Sequence, residues 1–378
     1  MKHEFDAHHV HIAAFAKSQA YSRESARHDL IASGVRLAVF LGFWLEGGFP
    51  WLQSVVAGVT ASPIYQGLLG ISLLHLGSSL ISLPFTCYDT FKIEAKYGFN
   101  KTTPAVFIAD QIKGLVLGAV IGLPVLALLL WLFGTFPGAW LWAWLAVTVL
   151  VLALQYIAPR YLMPLFNKFT PLEDGPLKTA IQSLSGTCAF PVKELFVIDG
   201  SRRSTKGNAF FAGFGKNKRI ALYDTLIEKH PQPELLAVLA HELGHAKLKH
   251  IPKSLLSSFA FTLVGFAGLG WLSTQTWFYE GLGIQPHLGS ANDAIALLLF
   301  MMFVPLITFV TTPWHSARSR QHEFEADAFA CQYANGADLR QALLKLYQDN
   351  ASTLTPDPLY VAFYHSHPPA AQRLARLT

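Results

Sequence analysis

The sequence has few charged residues and few cysteines. Charged side chains make up 14% of its 378 residues, against about a quarter in a typical soluble domain. A soluble protein this apolar would expose large hydrophobic patches and aggregate. Three cysteines without a CxxC pair give no basis for a disulfide framework or a cysteine-ligated zinc site. No basic start followed by an apolar run opens the chain, which argues against a cleavable signal peptide.

Long apolar runs are the main feature of the sequence. Six stretches of about 20 residues are long enough to cross a bilayer as helices. The first is the weakest, because it contains Arg36, Glu46 and Pro50, whereas the third and fourth contain no charge. The sequence therefore predicts a mainly α-helical, multi-pass membrane protein. The predicted spans are 35–56, 63–85, 114–134, 138–158, 254–273 and 292–313.

Lysine and arginine are segregated between the segments that connect these spans. The N-terminal arm has 4 of them, 86–113 has 4, 159–253 has 14 and 314–378 has 6, while the three intervening loops have none. Because basic residues concentrate on the cytoplasmic side, this predicts both termini and both large segments in the cytoplasm. The net charge of +5 then reflects orientation rather than nucleic-acid binding, for which no motif appears.

The spans divide the chain into four parts. These are an N-terminal arm with four spans (1–158), a cytoplasmic segment (159–253), a membrane hairpin (254–313) and a C-terminal cytoplasmic part (314–378). The arm, residues 1–29, is polar and contains His3, His8, His9 and His11; without an organising carboxylate or helical spacing, it is predicted to be solvated.

The cytoplasmic segment has mixed periodicity. Apolar residues at helical spacing predict helices over 172–185 and 233–250. Short apolar runs predict strands over 194–199, 208–214 and 219–223, the last two joined by a turn at 215–218. We expect a small β-sheet beside helices here.

His241 and His245 are the ends of a His-Glu-x-x-His motif on the second of these helices. The i, i+4 spacing places both imidazoles on one face, where they can share one Zn²⁺. Glu242 lies beside them, within reach of a metal-bound water rather than the metal, as a general base requires. The alternative is a helix with two surface histidines.

A catalytic zinc needs a third protein ligand, and Glu323 is the best candidate. It shares a predicted helix face with Asp327, which can accept the second ring N–H of a ligand histidine and so fix its tautomer. His322 is the rival ligand, and Glu325 is predicted to face elsewhere, in solvent. The predicted topology brings Glu323 to the same membrane side as the histidines, through the hairpin of the last two spans.

His367 and Arg373 follow near the C-terminus, in and after a Ser-His-Pro-Pro sequence. A cationic or hydrogen-bonding pair there can stabilise an oxyanion. The alternative is a solvated tail.

Together these residues resemble the type I CAAX prenyl endopeptidases, which are integral-membrane zinc metalloproteases. The resemblance covers most of the chain, in segments 83–100, 164–177 and 200–225 as well as the motifs around His241, Glu323 and His367. The combination is specific.

The resemblance implies zinc ligands at His241, His245 and Glu323, Glu242 as base, Asp327 as a partner of a ligand histidine, and His367 and Arg373 in the cleft. It implies that Asn208 and Ala209 lie on an edge strand to which substrate backbone adds. It also implies a helical barrel around an intramembrane chamber, with a zincin-like cytoplasmic part. Family members usually have seven membrane helices, and the first of these is expected to be missing here, either because the sequence starts late or because this member has lost that helix.

The predicted function is zinc-dependent endoproteolysis of CAAX-type prenylated or other membrane-associated substrates. The site is expected on the cytoplasmic side of the endoplasmic reticulum or of a bacterial inner membrane, according to host. The alternatives are a heat-shock-type quality-control zinc protease and a non-proteolytic channel or scaffold. The expected partners are one Zn²⁺, a peptide or protein substrate and the bilayer; the sequence leaves the oligomeric state open.

Overall fold

The computed structural model of the chain describes residues 12–190, 192, 194–212, 219–284 and 290–377. Six helical segments there are long and apolar enough to cross a bilayer, the predicted number. Few of their residues are buried inside the protein, so these surfaces require apolar surroundings. The segments are Ala14–Leu45, Pro63–Glu94, Pro104–Thr135, Ala139–Leu165, His250–Leu272 and Ala294–Tyr333.

Helices dominate the described residues. π-Helical turns at Asp89–Glu94 and Ala158–Leu162 extend α3 and α5. The helices are α1 (Ile12–Leu45), α2 (Gly48–Val59), α3 (Pro63–Tyr88), α4 (Pro104–Thr135), α5 (Ala139–Ile157), α6 (Pro176–Thr187), α7 (Asp224–Lys229), α8 (Gln232–Lys247), α9 (His250–Leu272), α10 (Thr276–Glu280), α11 (Ser290–Tyr333), α12 (Gly336–Asp349), α13 (Pro358–Tyr364) and α14 (Ala370–Leu374).

The first predicted span is wrong in its bounds. A single helix was expected over 35–56, but α1 ends at Leu45 and α2 begins at Gly48. Gly47 between them has φ 77°, a left-handed conformation that glycine adopts without steric cost. The apolar run therefore folds into the end of one long helix and a short second one.

The solvated arm is also a wrong prediction from residue 12 onward. That part is the first half of α1, and it packs against the rest of the protein. The Tyr21 hydroxyl donates to Glu94, and Lys206 Nζ lies 2.9 Å from the same hydroxyl oxygen. His3, His8, His9 and His11 lie outside the described residues.

Four short strands form one mixed sheet in the order β1-β2-β4-β3. The strands are β1 (Phe169–Pro171), β2 (Glu194–Ile198), β3 (Ala209–Ala212) and β4 (Arg219–Tyr223). β1 pairs antiparallel with β2, and β3 pairs antiparallel with β4. The two central strands, β2 and β4, pair parallel. The predicted hairpin is present, in the register Ala209 opposite Leu222, although its turn at 215–218 lies outside the described residues. β1 was not predicted; β1 and β3 are the two edge strands of this sheet.

The site depends on the crossing of α8 and α11. α8 is buried against the sheet, α6, α11 and α12 through an apolar cluster that includes Leu222, Leu239 and Leu243; burying each such side chain contributes roughly 1.5–3 kcal/mol. A Cβ on Gly244 would lie 3.2 Å from the Cα and the carbonyl oxygen of Ala326. This close approach brings the two helices' polar side chains together. α11 is one helix throughout, although a separate helix was expected after the span ending at Pro313.

Candidate metal centre and cleft

Three potential ligands converge between α8 and α11. One atom of each of His241, His245 and Glu323 lies within 4.8 Å of the other two. The two Nε2 atoms are 3.1 Å apart, and the Glu323 carboxylate oxygens lie 3.5 Å from Nε2 of His241 and 3.2 Å from that of His245. Tetrahedral zinc with bonds of about 2.0–2.1 Å holds its ligand atoms roughly 3.3 Å apart. Both the donor set and its spacing fit a zinc ion.

His241 is held by a buried charged pair. Its Nδ1 lies 2.8 Å from Asp327 Oδ1. Asp327 is in turn bound by Arg373, through Nε at 2.8 Å and Nη2 at 2.5 Å. Asp327 and Arg373 are 3% and 5% exposed, so this is a charge-compensated pair in the interior. Arg373 Nη1 also lies 3.2 Å from Glu323 Oε2.

These charges set the proton affinity of His241. Burial disfavours the imidazolium, but the carboxylates of Asp327 and Glu323 outweigh it and raise the pKa to about 9. Such a ring stays protonated at neutral pH until a metal displaces the proton. Burial opposes the charge of Arg373 too, yet its hydrogen bonds to Asp327 raise the pKa of the guanidinium.

His245 has different partners. Its Nδ1 lies 2.9 Å from Nδ1 of His250, whose Nε2 lies 3.0 Å from Glu325 Oε2. The ring of His322 stacks on that of His250, 4.2 Å away and nearly parallel. Glu325 therefore has a partner where solvent was predicted, and His322 lies outside the group of converging ligand atoms.

His241 and Glu323 line a cleft of about 340 Å³. Glu242 lines it, and burial raises the pKa of this carboxyl above its ordinary 4.5. His367 lines the same cleft with its side chain 67% exposed and its Nε2 3.5 Å from Glu323 Oε1. Asn208 directly precedes the edge strand β3 and Ala209 is its first residue. Both form another part of the cleft wall. Residues predicted from distant parts of the chain thus meet around one cavity.

Comparisons with known proteins match both parts of the chain. A family model described as CAAX prenyl protease N-terminal, five membrane helices, matches residues 4–168, and the model of peptidase family M48 matches residues 171–378. CAAX prenyl protease 1 of Saccharomyces cerevisiae is 38% identical, over 96% of this chain and 85% of that one. The CAAX prenyl protease 1 homolog of Arabidopsis thaliana is 37% identical, over 95% and 86%.

A solved structure also matches. The crystal structure of S. mikatae Ste24p superimposes with a TM-score of 0.92 at 35% identity, covering 98% of this chain and 90% of that chain. This confirms the predicted fold, a mainly helical membrane protein with a chamber and a small sheet. The match of the membrane model over residues 4–168 further favours this family over the heat-shock-type alternative.

Proposed function

Because the chain belongs to the CAAX prenyl proteases of peptidase family M48, we propose that His241, His245 and Glu323 hold one Zn²⁺ for peptide-bond hydrolysis. As a member of this family the chain is a membrane metalloendopeptidase. The observation that carries the assignment of ligands is the convergence of three ligand atoms within 4.8 Å, from two helices; two of these ligands, His241 and Glu323, line the cleft. The chemistry that zinc supplies when bound is polarisation of the scissile carbonyl and acidification of a water.

Glu242 is the general base in this proposal. It takes the proton of the attacking water and then passes it to the leaving amine. Its raised pKa makes it a stronger base than a solvated carboxylate, and its position beside the ligands keeps it close to the water without occupying a metal position.

His367 and Arg373 have separate roles. His367 has an exposed ring beside Glu323, so it can donate a hydrogen bond to the oxyanion that develops on the scissile carbonyl. Arg373 reaches the cleft as well, but its guanidinium is bound to Asp327 and lies beside Glu323. We therefore assign the oxyanion contact to His367, and the compensation of buried carboxylate charge to Arg373.

The substrate is proposed to bind as an extra strand on β3. The free edge of β3 begins at Asn208 and Ala209, which line the cleft, and an extended peptide can pair with such an edge. The relatives' names indicate a CAAX tail, in which two aliphatic residues follow a prenylated cysteine. An apolar wall of the cleft suits those aliphatic side chains; it consists of Leu226, Val238, Leu339, Leu343 and Leu346.

The membrane part supports a proposal for where the prenyl group binds and for the side of the membrane on which the zinc site lies. We assign the prenyl group to the apolar chamber, because the ligand-bearing α8 leads into α9 and α11 is itself the last span. The basic-residue distribution supports a cytoplasmic zinc site, in the endoplasmic reticulum or a bacterial inner membrane according to host.

Glu242→Gln tests the proposal. In detergent-purified protein we expect one zinc per chain and loss of cleavage by about 10²–10⁴-fold, measured with a farnesylated CAAX peptide and its unprenylated counterpart. The matched control is Glu228→Gln, at an exposed position on α7. This variant should cleave like wild type, and 1,10-phenanthroline should inhibit its cleavage. Cleavage retained by Glu242→Gln would reject the assigned base, and equal cleavage of both peptides would reject the role of the lipid.

A further inference from the structure

We propose that His250 is a positioning residue for His245, and that Glu325 fixes the tautomer of His250. The inference rests on the proposed function, because it takes His245 as a zinc ligand. It concerns the second ligand histidine, whose ring partner is another histidine instead of a carboxylate. His250 lies directly after the helix break at Lys249, whose φ is 58°.

The hydrogen positions follow from the distances. If His245 offers Nε2 to the metal, its proton is on Nδ1 and can only be donated. The neighbouring atom at 2.9 Å, His250 Nδ1, must therefore accept, because two N–H groups would repel each other. A neutral His250 then carries its proton on Nε2, which lies 3.0 Å from Glu325 Oε2. The chain His245 to His250 to Glu325 has one consistent direction of donation.

The surroundings hold His250 in this orientation. The residue is 3% exposed, and the ring of His322 covers one of its faces. It is also the first residue of the 23-residue α9, where the positive end of the helix dipole favours a neutral ring over an imidazolium. The ring therefore presents a fixed acceptor to His245.

A fixed acceptor affects how well His245 binds metal. A partner on the second ring nitrogen sets the orientation and the basicity of a ligand histidine, and losing such a partner costs roughly 10–100-fold in metal affinity or activity. Asp327 does this for His241, and His250 does it for His245. Both ligand histidines thus have a dedicated acceptor on a neighbouring helix.

Two substitutions of His250 separate the acceptor from the ring. His250→Leu leaves the Nδ1–H of His245 unpaired, and we expect zinc affinity to fall roughly 10–100-fold, measured by competition with a chromophoric chelator. His250→Asn places its amide oxygen where Nδ1 was, and should stay within about threefold of wild type. His315→Leu, on α11 and in ring contact with Phe261 instead of the ligand group, is the control for loss of a histidine and should leave the affinity unchanged.

Cobalt substitution gives a second readout. Its visible absorption reports the geometry of the ligands, and we expect altered bands in His250→Leu and wild-type bands in His250→Asn. Wild-type zinc affinity and cobalt bands in folded His250→Leu would overturn the proposal. If that variant is not recovered folded, Glu325→Ala tests the proposal instead, because the Glu325 side chain is 37% exposed and its loss should not prevent folding. We expect Glu325→Ala to bind zinc roughly threefold to tenfold more weakly. Unchanged zinc affinity in this variant would overturn the proposal.

Wild-type protein distinguishes this failure from failure of the proposed function. Wild type that binds no zinc would reject the metal site itself. Wild type with one tightly bound zinc, alongside a His250→Leu variant of equal affinity, would reject only the role of His250.

Discussion

The two histidines of the proposed zinc site share one helix face but have different surroundings. On the His241 side, the partner is an ionised carboxylate, Asp327, that is itself bound by Arg373 in the protein interior. On the His245 side, the partner is the neutral ring of His250, and the chain of hydrogen bonds ends at the partly exposed Glu325.

This difference indicates a division of roles. The His241 side contains opposite charges that stabilise the fold only while they remain paired, because a buried charge without its partner destabilises the folded state. The His245 side contains no obligatory charge in its interior and ends near solvent. We infer that substitutions on the His241 side affect folding and metal binding together, whereas those on the His245 side affect mainly metal binding.

Arg373→Leu tests the His241 side with the largest expected effect. It leaves the Asp327 carboxylate buried without its bidentate partner, which we expect to destabilise the fold by about 3–5 kcal/mol. The midpoint of thermal unfolding in detergent should fall markedly, with or without added zinc. Arg373→Lys keeps the charge and should lose much less.

The exposed Arg340→Leu on α12 is the matched control for loss of an arginine. A wild-type melting midpoint in Arg373→Leu would show that the pair contributes no stability and would remove the contrast between the two sides.

Asp327→Asn is expected to have the next largest effect, on metal affinity. An amide is a weaker acceptor for His241, so zinc affinity should fall roughly 10–100-fold. The proton competes with zinc for His241, whose pKa is raised to about 9. Wild-type affinity should therefore fall as pH is lowered below 9, by up to about tenfold for each pH unit.

The Asp327→Asn variant should show a weaker pH dependence, because the neutral amide would no longer raise the pKa of His241. The gap in zinc affinity between the two proteins should therefore be wide at pH 8.5 and narrower at pH 6.5. Parallel pH profiles would contradict this account of the His241 side, and Glu325→Gln, on the other side, should leave the profile parallel to that of wild type.

Part of this site was predictable from the sequence. The spacing of His241 and His245 determines a shared helix face, and the alternation of spans brings Glu323 to the same membrane side. The comparisons confirm the family and fold that these motifs indicated. The hairpin of β3 and β4 was also predictable, because both strands are short apolar runs next to a turn.

The His245 side was not predictable, for a geometric reason. Glu325 is two residues from Glu323, so helical spacing directs it away from the proposed metal site. Its contact to His250 depends on the helix break at Lys249 and on the way α9 begins beside α11, which local patterns do not specify. The break at Gly47 was missed for a different reason: the run contains Glu46, the pair Gly47-Gly48 and Pro50, and such a glycine pair marks a turn, but the length of the apolar run was given more weight.

Gly244→Ala tests the crossing of α8 and α11, on which both the His241 and the His245 sides depend. Of the substitutions in this comparison, we expect it to have the smallest effect on stability and zinc binding. The added methyl would lie 3.1 Å from Phe329 Cβ and 3.2 Å from the backbone of Ala326, so α11 must move by a few tenths of an ångström. Overpacking of this kind costs about 1 kcal/mol at the low end of its range.

Because Glu323 and Asp327 both belong to α11, the shift should weaken zinc binding and cleavage together by about threefold to tenfold, in the range of a small misplacement of ligands. Gly186→Ala on α6, where an added Cβ would have no atom within 4 Å, controls for the gain in helix propensity. Wild-type zinc affinity with reduced cleavage would show instead that the crossing positions the substrate and not the metal. The geometry of the His241 and His245 sides would then not depend on the distance between α8 and α11.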